Sequence, residues 1–381
     1  MDCIGIIGTG FVADLYMRSL QTFPGIKVDA AWDDRPDRLA QFCEHWSVPA
    51  ACSLEDLLDG RRSQRSLVLN LTNPAAHFRI TNECLAAGKH VYSEKPLAMT
   101  VEEARALRDA ASSRKLLLAC APCSVLGEAA QTAWCAVREG AVGKPRLVYS
   151  ELDDDFVTKA PYQKWLSESG APWPAQDEFR VGCTLEHAGY YLTWLLAMFG
   201  RVKTVVAASA NVIADKLPQQ TAPDFSTAVL EFESGVIARL TCSIIGPHNH
   251  RLRIIGDEGV LEVDECWNNS APVRIRRRHV IRKRLINSPF ARRWKVRGPT
   301  HPKVGRFGAA SMNFALGPAE MLSALSEGRR CRLTAEYALH VTEVTLAIQR
   351  AGLTTGAQQM QTTFDGIDPM TWAVCTSGGI A

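Results

Sequence analysis

The strongest constraint on the fold is a glycine-rich turn near the start of the chain. An apolar run at residues 3–7 is followed by GTGFVA at residues 8–13 and then by a sequence with helical periodicity. Gly8 permits a tight turn from strand to helix, and Gly10 lets the backbone approach a pyrophosphate. The small Ala13 allows the helix to pack closely on the sheet. This spacing predicts the first strand, turn and helix of a dinucleotide-binding domain.

An acidic residue follows at the distance that such a domain requires. The segment KVDAAWDD has strand character, and its Asp33 lies twenty residues after Ala13, where a carboxylate binds the hydroxyls of the adenosine ribose. Asp34 adds a second negative charge that would repel the 2′-phosphate of NADP. We therefore expect NAD as the cofactor. Arg35 and Arg38 keep NADP open, because either guanidinium can move toward a phosphate.

Strand and helix patterns then alternate up to about residue 120. SLVLNLTNPAAHF reads as a buried strand and loop, HVYSEKPLAM as a strand and turn, and the segment from Thr100 as a helix opened by a capping box with Glu103. This alternation predicts a doubly wound parallel sheet, in which ligands bind at the carboxyl ends of the strands. The candidate cofactor residues are Gly8, Thr9, Gly10, Phe11, Val12, Asp33, Asp34, Arg38, Thr72, Asn73, Pro74, His77, Glu94, Lys95 and Pro96.

The second half of the chain is dominated by strand signals. VKTVVAASANVI, STAVLEFESGVIARLTCSII and HRLRIIGDEGVLEVDE alternate in polarity between turns that contain glycine, which is typical of an antiparallel sheet with one covered face. The chain has 381 residues, of which 46% are hydrophobic, and so can form two cores. We predict an α/β Rossmann domain at residues 1–122 and an α+β domain with a large, mostly antiparallel open sheet at residues 123–381.

Four segments resemble the Gfo/Idh/MocA family of sugar and cyclitol oxidoreductases. They are GTGFVA at 8–13, AAGKHVYSEKPLAMTVEEA at 86–104, GAVGKPRLV at 140–148 and EGRRCRLTAEYALHVTEVTLAI at 327–348, and the second is the most specific. The resemblance implies a nicotinamide that faces the cleft between the two domains. It also implies a homodimer or homotetramer formed through the sheet of the C-terminal domain.

The resemblance makes Lys95 the first catalytic candidate. An ammonium group beside the nicotinamide can hydrogen-bond the reacting sugar oxygen and stabilise its developing negative charge. We expect burial to lower the pKa of Lys95.

The stretch LEHAGYYLTWL at 185–195 supplies the other catalytic candidates. Family members have a glycine, then Asp four residues on, then His after four more; here these positions are Gly182, Glu186 and Tyr190. Positions i and i+4 share a helix face, so Glu186 and Tyr190 are expected to point into the cleft. Tyr190 then handles the proton, with its pKa lowered by a nearby cation, while Glu186 orients substrate hydroxyls. His187 is the alternative proton group and pairs more naturally with Tyr191. The alternative interpretation, that this helix only packs into a core, remains open.

Substrate contacts are expected from the segment SESGAPWPAQDEFRVG at 167–182 and from the same helix. Aromatic rings stack on the apolar face of a sugar, and charged groups bind its hydroxyls. The candidate substrate residues are Trp173, Asp177, Arg180 and Tyr191.

Neither cysteine nor histidine spacing predicts a metal site. Cys120 and Cys123 form a C-x-x-C pair without a second pair, and His248 and His250 have no clear third ligand. We therefore expect no metal. Nor is a membrane segment expected, because no apolar run approaches the roughly 20 residues that a membrane helix needs. The start of the chain lacks signal-peptide features, and we expect a cytoplasmic location.

A basic segment at 274–306 stands out from the net charge of +3. We interpret it as a solvated hairpin at a sheet edge, with phosphates of a nucleotide sugar, an anionic polysaccharide precursor or a lipid surface as alternatives. No nucleic-acid partner is expected, since no recognition helix or RNA-stacking motif accompanies the charge.

These patterns together indicate an NAD(H)-dependent oxidoreductase. Hydride would pass to or from a carbon of a sugar, nucleotide sugar or cyclitol, while Lys95 and Tyr190 manage the substrate oxygen. Two other functions stay open: a glycoside hydrolase that retains NAD, and a non-catalytic regulator that binds NAD.

Overall fold

A parallel sheet forms the N-terminal part of the chain. The computed structural model describes residues 2–59, 66–217 and 221–374. The five strands run in the order β2-β1-β3-β4-β5, and each pair is parallel. They are β1 (Asp2–Ile7), β2 (Ile26–Trp32), β3 (Leu67–Asn70), β4 (His90–Ser93) and β5 (Leu118–Cys120). This sheet confirms the predicted doubly wound domain.

Helices connect these strands. They are α1 (Phe11–Leu20), α2 (Pro36–Trp46), α3 (Leu54–Leu58), α4 (His77–Ala86) and α5 (Val101–Ser113). The side chain of Thr100 accepts a hydrogen bond from the backbone N–H of Glu103 at 3.2 Å, so the predicted cap of α5 is present. On α1, Ala13, Met17 and Leu20 are buried at helical spacing against the sheet.

A larger sheet forms the C-terminal part. Its strands run in the order β13-β12-β11-β10-β6-β9-β8-β7-β15, with β14 paired to β12. They are β6 (Pro145–Asp153), β7 (Val202–Ala210), β8 (Phe225–Phe232), β9 (Ile237–Ser243), β10 (Leu252–Gly256), β11 (Gly259–Val263), β12 (Val273–Ile281), β13 (Arg284–Asn287), β14 (Arg292–Trp294) and β15 (Gln358–Gln359). Strands β6 and β9 are parallel, and the other pairs among the described strands are antiparallel.

Helices cover one face of this sheet. Those that contact its strands are α6 (Glu128–Arg138), α8 (Cys183–Phe199) and α10 (Ala335–Gln349). Helix α7 (Ala175–Val181) packs against α8, and α9 (Leu316–Glu327) packs against β5 of the N-terminal sheet. On β8, Leu230 and Phe232 are fully buried while Val229 is 47% exposed, as alternation along a half-covered strand requires. This confirms the predicted α+β domain. The boundary between residues 122 and 123 stays a prediction.

Helix α8 lies at the centre of the molecule. It packs against β8, β9, α6 and α10, and it buries Trp194 and Leu195 completely. Gly182 precedes it with φ +93°, and a Cβ there would lie 2.7 Å from the Cβ of Ala222. Only glycine fits this close approach without strain, and the turn directs the first residues of α8 toward the N-terminal domain.

The basic segment forms the edge of the large sheet. Strands β12 and β13 make an antiparallel hairpin whose residues Val280 and Leu285 are 75% and 66% exposed. The hairpin therefore matches the expected edge position. Across the described ranges, every helix is too short or too polar to span a lipid bilayer.

The glycine turn can be tested by mutation. In Gly8→Ala the new Cβ would lie 2.7 Å from backbone atoms of Leu71 and Thr72, at φ +90°. We expect a loss of roughly 2–4 kcal/mol of unfolding free energy, because a clash with backbone adds to positive-φ strain. Thermal unfolding of the ligand-free protein measures the effect. Gly25→Ala is the control, since a Cβ there has no neighbour within 4 Å. Equal melting temperatures for the two variants would contradict the close packing of Gly8 against Leu71 and Thr72.

Candidate active site

A cavity of about 600 Å³ lies between the two sheets and is called the cleft below. This volume is typical of a small-molecule or cofactor site. The candidate residues that line it are Gly8, Gly10, Phe11, Val12, Asp33, Asp34, Arg38, Thr72, Asn73, Pro74, Glu94, Lys95, Trp173, Asp177, Glu186, His187 and Tyr190. The candidates that do not line it are Thr9, His77, Pro96, Arg180 and Tyr191.

The glycine turn forms one end of the cleft. Helix α1 begins at Phe11 with Gly10 as its N-cap, and no side chain caps the free N–H groups of its first turn. These N–H groups and the positive end of the helix dipole suit a pyrophosphate. A Cβ on Gly8 would clash with the neighbouring loop, so the two backbones can pack this closely only because residue 8 is glycine. The residues present therefore fit a dinucleotide.

Asp33 is held as a carboxylate at this end. Its Oδ2 accepts hydrogen bonds from the N–H of Thr9 at 2.7 Å and from the Thr9 hydroxyl at 3.0 Å, and its Oδ1 accepts from the N–H of Arg35 at 3.0 Å. Burial opposes ionisation, but these hydrogen bonds outweigh it and lower the pKa of Asp33. The side chain of Asp34 beside it is 81% exposed. Two carboxylates therefore border the adenosine end.

Arg38 has a different position from the one expected. Its guanidinium is buried, and it donates to the carbonyl of Thr9 at 2.6 Å and to the carbonyl of Ser169 at 2.8 Å. It therefore ties the glycine turn to the 167–171 loop and is not available to move toward a phosphate. The side chain of Arg35 is 61% exposed and remains accessible.

His77 connects two loops instead of facing the cleft. Its Nδ1 lies 2.6 Å from the carbonyl of Pro96, and its Nε2 lies 3.0 Å from the carbonyl of Thr72. The side chain is completely buried, and burial lowers its pKa. His77 thus positions the loops that carry Thr72 and Lys95.

Lys95 and Glu186 form an ion pair across the cleft, with side chains that are 21% and 6% exposed. The neighbouring Glu94 is fixed by the hydroxyl of Tyr16 at 2.7 Å and by the N–H of Lys95 at 2.9 Å. Burial disfavours the ammonium, but the carboxylate of Glu186, with smaller effects from Tyr190 and Glu178, raises the pKa of Lys95 above its ordinary value. The expected lowering was wrong, because it considered burial without the partner.

Tyr190 is almost completely buried in the cleft wall. Its ring meets that of Trp267 edge to face, with the centroids 6.0 Å apart. Burial raises the pKa of Tyr190 well above its ordinary value, although Lys95 acts in the opposite direction. The phenol is therefore neutral and serves as a hydrogen-bond donor; the expected net lowering was wrong.

His187 lines the cleft but does not pair with Tyr191. Its Nε2 lies 3.6 Å from Oδ2 of Asp154. Burial, followed by Lys95 and His250, lowers the pKa of His187 to about 3, so the imidazole is neutral. A neutral imidazole with so low a pKa is a weak base at physiological pH.

Two substrate candidates lie outside the cleft. Tyr191 is completely buried and donates its hydroxyl to the carbonyl of His250. It is one residue beyond Tyr190, about 100° further round the helix, and so points into the core. Arg180 is exposed at the end of α7.

Asp154 and Trp267, which sequence reasoning did not select, also line the cleft, and so does Glu178 of the predicted specificity segment at 167–182. Glu178 hydrogen-bonds to Glu186, and burial followed by this neighbouring carboxylate raises the pKa of Glu178 well above its ordinary value. Glu178 therefore holds a proton that it shares with Glu186. The three successive aspartates at the end of β6 were a signal for Asp154. For Trp267 no local signal exists.

Comparisons with known proteins agree with this architecture. Residues 3–121 match the model of the oxidoreductase family with an NAD-binding Rossmann fold, and residues 130–262 match the GFO/IDH/MocA C-terminal domain. YceM of Salmonella typhimurium is 31% identical over 176 residues, which cover 43% of this chain and 56% of YceM. Myo-inositol 2-dehydrogenase of Thermotoga maritima is 23% identical over 68% of this chain and 75% of its own length.

A solved structure has the same fold over most of the chain. The WlbA dehydrogenase from Bordetella pertussis, in complex with NADH and UDP-GlcNAcA, superposes with a TM-score of 0.70 at 18% identity, covering 94% of this chain and 98% of WlbA. The N-terminal domain is thus of the NAD(P)-binding type. The chain belongs to the Gfo/Idh/MocA family of oxidoreductases.

Proposed function

We propose that the protein is an NAD-dependent oxidoreductase that acts on a hydroxyl, or the corresponding ketone, of a sugar, nucleotide sugar or cyclitol. One observation carries the proposal: Lys95, Glu186 and Tyr190 line the same cleft as the glycine turn. The names of the relatives, a myo-inositol dehydrogenase and a dehydrogenase solved with a UDP-sugar acid, support this substrate class.

The bound dinucleotide supplies the hydride acceptor or donor. The ammonium of Lys95 donates a hydrogen bond to the reacting oxygen and stabilises negative charge on it. The neutral phenol of Tyr190 donates a second hydrogen bond. In the oxidation direction, the carboxylate of Glu186, which is paired with Lys95, accepts the hydroxyl proton. The protonated Glu178 is hydrogen-bonded to Glu186 and so stabilises the negative charge of Glu186 before it accepts that proton.

Substrate specificity is assigned to Trp173 and Asp177, which border the cleft. The ring of Trp173 is fixed by edge contacts to Trp165 and Phe179, with centroids 5.3 Å and 5.8 Å apart. A fixed ring costs little side-chain entropy when it stacks on a sugar. Asp177 can accept hydrogen bonds from hydroxyls.

A homodimer or homotetramer through the large sheet stays our proposal for the oligomeric state. The uncovered face of that sheet carries exposed apolar side chains, including Val206 at 46% and Val229 at 47%. Burial of this face against a second copy would remove apolar surface from water. The cytoplasmic location also stays a prediction.

Turnover tests the function and the roles of Lys95 and Tyr190. Sugars, cyclitols and nucleotide sugars are screened with NAD for NADH formation at 340 nm. Lys95→Met should lower kcat by about 10²–10⁴, and Tyr190→Phe by about tenfold, because each removes a hydrogen bond to the developing charge. Lys144→Met, at an exposed position, is the control.

Two outcomes would contradict these roles. Release of a glycoside leaving group without net NADH would indicate the NAD-retaining hydrolase instead. Full turnover of Tyr190→Phe together with an inactive His187→Ala would show that His187, and not Tyr190, contacts the reacting oxygen.

The proton on Glu178 makes a prediction about pH. The pKa of Glu178 is higher in the folded protein than in the unfolded chain. At a pH between these two pKa values, the folded protein keeps a proton that the unfolded chain has released. The Glu178 contribution to stability is therefore lost with rising pH, by up to about 1.4 kcal/mol per pH unit. Glu178→Gln should remove this loss, so its melting temperature relative to wild type should increase from pH 5.5 to 8.5. Exposed Glu102→Gln is the control, and equal trends in both variants would refute the shared proton.

The preference for NAD is tested at Asp34. Its exposed carboxylate would repel a 2′-phosphate by about 1 kcal/mol, so Asp34→Ser should lower the ratio of NADPH to NADH dissociation constants roughly fivefold. Fluorescence titration with each reduced cofactor measures the ratio without a known substrate. Asp37→Ser, exposed on α2 outside the cleft, should leave the ratio unchanged. A ratio that already favours NADPH in the wild type would overturn the assignment.

A further inference from the structure

A cluster of histidines and carboxylates lies at one edge of the large sheet. Asp154 follows β6, His248 and His250 precede β10, and Glu265 follows β11. Strand β10 pairs antiparallel with both β6 and β11, so the end of β6, the start of β10 and the end of β11 lie side by side. Residues up to 111 positions apart in the chain are thereby brought together. Asp154 also lines the cleft, so the cluster borders the proposed substrate site.

Glu265 fixes the rings of both histidines. Its Oε2 lies 2.9 Å from Nε2 of His248, and its Oε1 lies 2.8 Å from Nδ1 of His250. A carboxylate only accepts hydrogen bonds, so these two ring nitrogens are the donors. Nδ1 of His248 and Nε2 of His250 are then left with free lone pairs. Histidines that bind a metal through one nitrogen commonly donate the other N–H to a carboxylate in this way.

One of the two remaining nitrogens lacks the hydrogen bond that a buried acceptor needs. Within residues 2–59, 66–217 and 221–374, Nε2 of His250 has no hydrogen-bond partner, although the side chain is 0% exposed. A buried polar atom left unpaired costs about 1–3 kcal/mol. Nδ1 of His248 lies 3.8 Å from Oδ1 of Asp154, which is too long for a hydrogen bond.

These distances suit ligands of one ion. A ring nitrogen of each histidine and a carboxylate oxygen of Asp154 lie within 4.8 Å of one another. Ligand atoms around a tetrahedral zinc ion, each about 2.0–2.2 Å from the metal, are about 3.4 Å apart. Binding of an ion would therefore draw the three side chains closer together, and the His248 side chain is 42% exposed and so is not held in place by packing on all sides. Tyr191 supports this set of ligands, because its hydroxyl holds the carbonyl of His250.

We propose that Asp154, His248 and His250 bind one divalent transition-metal ion, with Zn²⁺ as the best fit to two imidazoles and one carboxylate, and that Glu265 orients the two imidazoles. The sequence predicted no metal because the third ligand, Asp154, is 94 positions from His248. Three protein ligands leave a coordination position for another oxygen. Since Asp154 lines the cleft, an oxygen of a polyhydroxy or anionic ligand in the cleft is the group that this position would take.

Metal binding is measured on the full chain after removal of adventitious metal with a chelator. Titration of Zn²⁺ by calorimetry, and of Co²⁺ by its visible absorption, should give one ion per chain. His250→Gln and Asp154→Asn should each weaken binding by at least about tenfold, and Glu265→Gln by about 10–100-fold. His45→Gln, at an exposed position on α2, should bind as tightly as wild type.

Asp154→Asn keeps the test informative if His250→Gln does not fold, because Asp154 is partly exposed at the cleft wall. Absence of stoichiometric Zn²⁺ or Co²⁺ binding to the wild type would overturn the proposal. Binding that is unchanged in both ligand variants would also overturn it, because the ion would then lie elsewhere. Neither result would affect the proposed oxidoreductase function, which is read out by NADH formation.

Discussion

The partly buried ion pair between Lys95 and Glu186 is the interaction on which the cleft depends. Lys95 belongs to the loop after β4 of the Rossmann domain, and Glu186 to the first turn of α8 in the second domain. Removal of either partner would leave the other charge without its nearest counter-charge in a partly buried site, which is destabilising. The pair therefore fixes α8 against the nucleotide-binding domain, and Glu94, held by Tyr16, fixes the loop from the other side.

The same charges determine which groups around the reacting oxygen carry protons. Carboxylates keep Lys95 charged, burial keeps the phenol of Tyr190 neutral, and Glu178 retains a proton beside Glu186. Groups whose environments separate their pKa values in this way are assigned distinct acid and base roles. In the proposed mechanism, these groups supply two hydrogen-bond donors and one acceptor to the substrate oxygen.

Features set by neighbouring residues were predictable from the sequence, and features set by distant partners were not. The glycine turn, the cap of α5 and the alternating strands follow from local spacing, and the structure contains all three. The direction of Tyr191 and the contacts of Arg38 depend on elements far along the chain, such as the carbonyl of Ser169, 131 positions from Arg38. The predicted pKa shifts of Lys95 and Tyr190 were wrong for the same reason, because each pKa depends on both burial and partners from other elements.

A second buried contact joins the domains on the cofactor side. The N–H and hydroxyl of Ser169 donate to Asp14 of α1, each at 2.8 Å, and Arg38 donates to the carbonyl of Ser169. Asp14 and Ser169 are 1% and 9% exposed, so loss of these bonds would leave buried polar groups unpaired. Hinge opening of the two domains would have to break this contact together with the Lys95–Glu186 pair. Exchange of ligands is therefore expected to use side-chain and loop motions at the cleft rim instead of separation of the domains.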